Sequence, residues 1–129
     1  MAKLPKLSSL SRRERLIMDI VFRLQAVTVS EVLGWLPDSP NYSTVRAQLR
    51  VLEGKGYVRH LKQGLRYVYI PVIPLDVARR SALQNLVETF FDGSAEKVVA
   101  ALLGGQVSRI SSEELDRISR LIAKSRKET

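Results

Sequence analysis

Apolar residues recur at helical spacing in two short segments near the start of the chain. The stripe of the first segment consists of Leu16, Ile17, Ile20, Val21 and Leu24. A Ser-x-x-Glu capping box precedes it at residues 11–14, and a Thr-x-x-Glu box at residues 28–31 precedes a shorter stripe. The pattern predicts one helix over about residues 12–25 and another over about residues 29–36.

A third helix is predicted after Asn41, which can cap it. Its apolar stripe is Val45, Leu49 and Leu52, and the glycines after it end the helix. The following stretch, "YVRHLKQGLRYVYIPV", has β-branched and aromatic residues on both sides of the segment 62–64, which contains Gly64. This composition predicts a β-hairpin with a glycine-containing turn.

Helical spacing returns after Pro74, where the chain changes character. The stripe of the next segment consists of Leu83, Leu86, Val87, Phe90 and Phe91, and that of the last helix includes Leu115, Ile118 and Ile122. We predict a mainly α protein with a small β-hairpin. Its expected units are a winged helix-turn-helix DNA-binding domain over residues 1–74 and a C-terminal helical dimerisation module over residues 75–129.

A shorter helix is predicted between these two, over about residues 95–103. The C-terminal stripe needs a surface to cover it, because three short helices of about fifty residues bury little core on their own. Self-association through these residues is the economical arrangement. Packing of the module against the N-terminal domain is the alternative.

The distribution of charge supports this division. The chain carries a net charge of +8. Residues 1–74 hold twelve lysines and arginines against five carboxylates, a net charge of +7, whereas residues 75–129 hold nine against eight, a net charge of +1. The basic half therefore favours a polyanionic partner such as nucleic acid.

Enzymatic chemistry has few candidate residues in this sequence. There is no cysteine, and His60 is the only histidine. These counts exclude disulfides, thiol nucleophiles and cysteine-rich zinc sites, and His60 has no partner at metal-ligand spacing. We expect no enzyme activity, no catalytic residue, no metal and no cofactor, and we expect His60 to be an exposed residue of the hairpin.

The third helix has a polar outward face once its apolar stripe is turned inward. That face consists of Ser43, Thr44, Arg46, Ala47 and Arg50. Arg46 is suited to a guanine edge, Ala47 or the methyl of Thr44 to a thymine methyl, and Arg50 to a phosphate. A solvated charged face with no ligand is the other interpretation.

Further cations flank this helix. Arg59, Lys62 and Arg66 lie in the hairpin and are candidate wing contacts to DNA, and Arg12 and Arg13 are candidate backbone contacts beside the first helix. Edge protection of the hairpin and a solubilising tail account for them nearly as well. Trp35, Tyr57, Tyr67 and Tyr69 are expected to pack in the core and on the sheet, with base stacking as the other interpretation.

Four stretches give the chain a resemblance to a known family. They are "NYSTVRAQLRVLEGKGYV", "GLRYVYIPV", "LVETFFDGSAEKVVAALL" and "ISSEELDRISRLI". Taken in order they cover nearly the whole chain, and they resemble the penicillinase-repressor (BlaI/MecI/CopY-type) winged-helix transcriptional regulators. The resemblance implies a cytoplasmic homodimeric repressor whose winged helices bind a dyad operator and whose C-terminal helices hold the dimer.

The resemblance also bears on how such a repressor is released. In β-lactam-responsive members a membrane sensor-protease triggers cleavage at an Asn-Phe bond, so such a protease is a candidate partner. The corresponding stretch here, near Ala101 and Leu102, contains no Asn-Phe. The copper-responsive branch uses a cysteine cluster, which this chain lacks.

The sequence therefore leads to a main hypothesis and an alternative. The main hypothesis is a sequence-specific DNA-binding repressor that acts as a homodimer on double-stranded operator DNA. It is expected in the cytoplasm, because no segment has the roughly 18 to 20 apolar residues that span a bilayer and the start of the chain lacks a signal-peptide pattern. The alternative is a winged-helix adaptor for protein partners, which would show an apolar or acidic face on the third helix.

Overall fold

The computed structural model describes residues 4–105, 107 and 109–128. The chain divides into two compact units, Met1–Ala82 and Leu83–Thr129. The N-terminal unit therefore ends within a helix, at Ala82.

Three helices begin the N-terminal unit after a short 3₁₀ turn at Leu7–Ser9. They are α1 (Arg12–Leu24), α2 (Val29–Trp35) and α3 (Tyr42–Gly54). Both predicted capping boxes are present, with reciprocal hydrogen bonds between side chain and backbone at the starts of α1 and α2. Because these boxes bind otherwise unpaired N–H groups, they explain where the two helices begin.

The hairpin follows α3 and consists of two antiparallel strands, β1 (Val58–Gln63) and β2 (Arg66–Pro71). Its turn lies at Gly64 and Leu65, where Gly64 has a positive φ of 62°. The base of the hairpin is attached to the rest of the unit because Val27 and Tyr69 exchange two backbone hydrogen bonds of 2.9 and 2.7 Å. The predicted winged-helix order, three helices and then a hairpin, is confirmed.

The core of the N-terminal unit lies among the three helices and the base of the hairpin. The predicted stripe of α3 is fully buried there, with Val45, Leu49 and Leu52 at 0% exposure. The other fully buried side chains include Ile17, Val21, Val27 and Val32. Removal of this apolar surface from water fixes the rotation of α3 about its axis, and with it the residues that α3 presents outward.

Trp35 does not join this core, so the prediction of a core role for it is wrong. It is the last residue of α2 and is 50% exposed, and the guanidinium carbon of Arg23 lies 5.2 Å from the centre of its ring. The position at the helix end places the indole at the surface, where the cation covers one face of it. Tyr57 and Tyr69 are buried as expected, whereas Tyr67 is 45% exposed.

The described residues of the C-terminal unit form helices and the turns between them. It contains the second half of α4 (Leu75–Phe90), then α5 (Ala95–Leu103) and α6 (Ser112–Glu128). The turn between α4 and α5 is closed by Gly93, whose N–H donates to the carbonyl of Val87 at 2.9 Å and whose φ is 73°. No side chain described in this unit is buried, so the three helices share no core of their own. Within the described ranges, no helix is long and apolar enough to cross a membrane.

The role of Asn41 as the N-cap of α3 can be tested by substitution. Asn41 Oδ1 accepts hydrogen bonds from the N–H and the hydroxyl of Thr44, both at 2.8 Å. Asn41→Ala is expected to lower the free energy of unfolding by about 1 kcal/mol, because an N–H at the helix start loses its acceptor. Urea denaturation measures the change, and Ser43→Ala, an exposed neighbour, should change stability by less than about 0.5 kcal/mol. An equal loss in both variants would contradict the capping role.

Candidate nucleic-acid interface

The outward face of α3 is the first element of the candidate site. All five predicted residues, Ser43, Thr44, Arg46, Ala47 and Arg50, are exposed. The hydroxyl of Thr44 already donates to Asn41, so its hydrogen is not available to an acceptor on a ligand and its methyl group is the part free for contact. The guanidinium groups of Arg46 and Arg50 are therefore the main donors that this face offers.

The hairpin presents two different faces. Paired residues of antiparallel strands lie on the same face, which places His60 and Lys62 with their partners Tyr69 and Tyr67. Arg59 pairs with Ile70 on the opposite face. The structure therefore separates Arg59 from Lys62, two residues that the sequence had grouped together.

The face that carries His60 is turned toward α3. The carboxylate of Glu53, near the end of α3, contacts Nδ1 of His60 at 2.7 Å and accepts a hydrogen bond of 2.8 Å from its backbone N–H. Burial raises the pKa of Tyr69, and the charge of Glu53 raises it further, whereas Arg50 and Arg46 act in the opposite sense. The three charged residues of α3 thus lie along the side of the helix that faces the wing.

A groove of about 440 Å³ lies between α3, the start of α2 and the wing. Its lining residues are Thr28, Val29, Ser30, Tyr42, Arg46, Leu65, Arg66, Tyr67 and Tyr69. The structure brings Arg46 and Arg66 to this one groove from two different elements, together with several hydroxyl groups. Guanidinium and hydroxyl donors around an open groove suit a phosphodiester backbone.

The two arginines at the start of α1 differ in their surroundings. Arg13 forms an ion pair with Asp38, in which Nη1 donates to Oδ1 at 3.0 Å and Nη2 contacts Oδ2. This pair lowers the pKa of Asp38 and commits the guanidinium of Arg13 to a residue of the same chain. Arg12 is exposed and is the better candidate of the two for a DNA backbone contact.

Sequence reasoning missed several residues at this surface. Leu65 is fully exposed at the tip of the wing, Tyr42 lines the groove, and Glu53 contacts the wing. The sequence does indicate that Glu53 shares a face of α3 with Arg46 and Arg50, because it follows them by seven and three residues, which is helical spacing. Its partner in the wing depends on the tertiary fold and had no such signal.

The predicted dimerisation residues lie in the C-terminal unit and on α4. Leu83, Leu86 and Phe90 are 54%, 41% and 71% exposed, and Leu115 and Ile122 are 41% and 50% exposed. Val87, Phe91 and Ile118 are half-buried. The C-terminal unit therefore leaves a large amount of apolar surface in water.

Metal ions in proteins are held by clustered histidine, cysteine, aspartate or glutamate side chains. In the part of the chain that the structure describes, no group of three or more histidine, cysteine, aspartate or glutamate side chains is placed to hold a metal ion. These surfaces present cations, hydroxyl groups and exposed apolar side chains.

Comparison with known proteins adds independent findings. The family model described as "Penicillinase repressor" matches residues 10–124. A curated penicillinase repressor of Bacillus licheniformis is 24% identical over 124 residues, which are 95% of this chain and 93% of that protein. The solution structure of the DNA binding domain of the repressor BlaI is 26% identical in sequence and matches with a TM-score of 0.47. The match covers 55% of this chain and 89% of the BlaI domain.

Proposed function

Since this chain belongs to the penicillinase repressor family, we propose that it represses transcription as a homodimer that places one winged helix on each half of a dyad operator. Family membership makes it a DNA-binding transcriptional repressor and not an enzyme. The dimer, the dyad and the residues that read the DNA are the parts proposed here. We also place its action in the cytoplasm.

The observation that carries the proposal is the meeting of Arg46 and Arg66 in the groove between α3 and the wing. In a winged helix, the third helix enters the major groove and the wing reaches the adjacent backbone. Arg46 is then the residue for a guanine edge, with Ala47 and the Thr44 methyl beside it. Ser43, Arg50, Lys62 and Arg66 supply contacts to phosphates on either side.

The alternative adaptor function would need a different surface. A protein-binding α3 is expected to be apolar or acidic, whereas the exposed groups here include Arg46 and Arg50. The basic face therefore supports DNA as the partner.

The homodimer is supported by the exposed apolar side chains of the C-terminal unit. A second copy is the occupant proposed for them, because the near-neutral charge of residues 75–129 puts little repulsion between like units. A two-fold axis between two such units would present two winged helices in opposite orientation, which is what a dyad operator requires.

The function is tested by selecting duplexes from a random pool with the full chain and footprinting the selected sequence. We expect a protected region with two inverted half-sites, and a binding constant that falls steeply as salt rises. Binding that is indifferent to both sequence and salt would contradict the proposal. Protection of a single half-site would contradict the dimeric arrangement alone.

A membrane sensor-protease is also proposed to release the repressor from DNA, but not through the cleavage bond that the resemblance implies. The stretch near Ala101 and Leu102 lies at the end of α5, and it lacks the Asn-Phe bond that the resemblance associates with cleavage. A sensor-protease remains the proposed partner for release if cleavage occurs at a different bond. Incubation with membranes from induced and uninduced cells, followed by mass spectrometry of the fragments, would locate such a bond.

Lys62 provides a test of the wing. Lys62→Ala is expected to weaken binding to all duplexes to a similar extent and to reduce the slope of log K against log salt concentration by about one unit, because one phosphate contact is lost. Lys124→Ala in α6 removes the same charge from the other unit and should leave the slope unchanged. An unchanged slope for Lys62→Ala would place the wing away from the DNA.

A further inference from the structure

The tip of the wing carries an apolar side chain that the fold itself does not use. Gly64 and Leu65 join the two strands, and Leu65 is 104% exposed, so no side chain of the described residues covers it. Two-residue hairpin turns that begin with glycine favour asparagine, aspartate or serine at the second position, because these polar residues suit turns. Neither the core nor the turn therefore accounts for a leucine at this position.

Leu65 lies beside the groups that are proposed to meet DNA. It lines the groove between α3 and the wing together with Arg46 of α3 and the adjacent Arg66. Lys62 is on the strand that leads to the turn. The tip is four residues from Tyr69 at the base of the hairpin, and four residues of extended strand span about 13 Å. An apolar group thus projects from a cationic tip.

The chemistry of leucine decides which part of a duplex this tip can contact. Leucine has no charge and no hydrogen-bond donor, so a phosphate oxygen gives it no favourable contact. The sugar carbons and the base faces in the minor groove are apolar, and α3 occupies the major groove in a winged helix. The minor groove is about 6 Å wide, which is too narrow for a two-stranded ribbon with its side chains but wide enough for one side chain.

We propose that Leu65 enters the minor groove beside each half-site and inserts as a wedge at one base step, so that the protein distinguishes operators by how easily that step opens. The proposal rests on the proposed DNA-binding function. Apolar side chains inserted at a base step partly unstack it and bend the duplex. Pyrimidine–purine steps such as TA and CA open most easily, so one of them is expected under each wing, outside the base pairs that α3 contacts.

The cations beside the turn supply the attraction that brings an apolar tip to a polyanion. Lys62 and Arg66 lie on the two different strands, one on each side of the turn. Their attraction to phosphates acts on every duplex alike, whereas the cost of unstacking depends on the base step. Leu65 therefore adds selectivity at base pairs to which it makes no hydrogen bond.

Binding to two matched duplexes tests the wedge. Fluorescence anisotropy compares a selected operator with a copy in which the pyrimidine–purine step under each wing is replaced by the stiffer AA step. The full-length wild type is expected to bind the copy about tenfold more weakly, and Leu65→Asn to bind both duplexes nearly equally. Asparagine suits the turn, so the hairpin is kept. Leu65→Met keeps an apolar side chain of similar volume and should keep the preference.

Fluorescence of 2-aminopurine, placed at the adenine of the pyrimidine–purine step, reports unstacking directly. Stacking quenches this base, so its emission should rise when the wild type or Leu65→Met binds, and not when Leu65→Asn binds. Lys62→Ala is the contrasting variant, because it removes a phosphate contact of the same wing. It should weaken binding to both duplexes by the same factor and, at saturating protein, leave the rise in emission in place.

The outcomes separate this inference from the function on which it rests. Operator binding with the same step preference in Leu65→Asn and the wild type would overturn the wedge and leave the repressor function standing. Equal losses on both duplexes in Leu65→Asn, with no rise in emission for the wild type, would also overturn it, since Leu65 would then contact DNA without opening a step. A wild type with no preference for any duplex would overturn both.

Discussion

Replacing Arg46 by alanine is expected to lower the affinity for operator DNA by about 1 to 3 kcal/mol and to remove discrimination at one base pair of each half-site. Arg46 is exposed on α3, one turn before Arg50, and lines the groove between α3 and the wing. The reason is that the substitution removes a bidentate contact from the guanidinium to a guanine, and with it the preference for that base. The side chain packs in no core, so the fold should be unaffected.

Arg50→Ala is the matched control, because it removes the same group from the same face of the same helix. As a phosphate contact, it should weaken binding to the operator and to scrambled duplexes by similar factors. Competition binding against duplexes with each base pair of the half-site changed in turn measures both effects. Equal losses on operator and scrambled DNA for Arg46→Ala would show that Arg46 touches phosphates and not bases.

The parts of the fold that sequence predicts well are those set by residues close together in the chain. The two capping boxes join residues three apart, and the stripe of α3 repeats every three to four residues. Such signals do not depend on tertiary structure. They located the first residues of α1 and α2 and the inward face of α3.

The finer composition of the candidate site depends on contacts between distant segments. Asp38 is 25 residues from Arg13, and its ion pair with Arg13 distinguishes two arginines that look equivalent in the sequence. Glu53 and His60 are only seven residues apart, but they meet because the hairpin folds back on α3. Local patterning does not encode these pairings, since each depends on how elements pack.

The apolar pattern of the C-terminal half predicts part of the structure and leaves the packing of the helices open. Helical spacing identified the stripe at Leu83, Leu86 and Phe90, and the structure shows these side chains exposed. A stripe shows which face of a helix is apolar but not which surface covers it. The exposure of these side chains therefore indicates that the covering surface has to come from a partner.

In the proposed homodimer, replacing Phe90 by aspartate is expected to convert the protein to a monomer. Phe90 is 71% exposed in the single chain, and full burial of a phenylalanine contributes about 1.5 to 3 kcal/mol. In a two-fold interface the substitution occurs twice, so the dimer should lose about 3 to 6 kcal/mol, and its dissociation constant should rise by about 10² to 10⁴. Sedimentation velocity across a concentration series measures this change.

Operator binding should weaken with the dimer, because two independent winged helices no longer share one binding event. Affinity for an isolated half-site should stay the same, since α3 and the wing belong to the other unit. Leu65→Asp is the control for the charge and for the loss of an exposed apolar side chain, because Leu65 lies at the tip of the wing. It should remain dimeric. A monomeric wild type, or a Phe90→Asp variant that sediments as the wild type does, would contradict the proposed interface and leave the exposed stripe to a different partner.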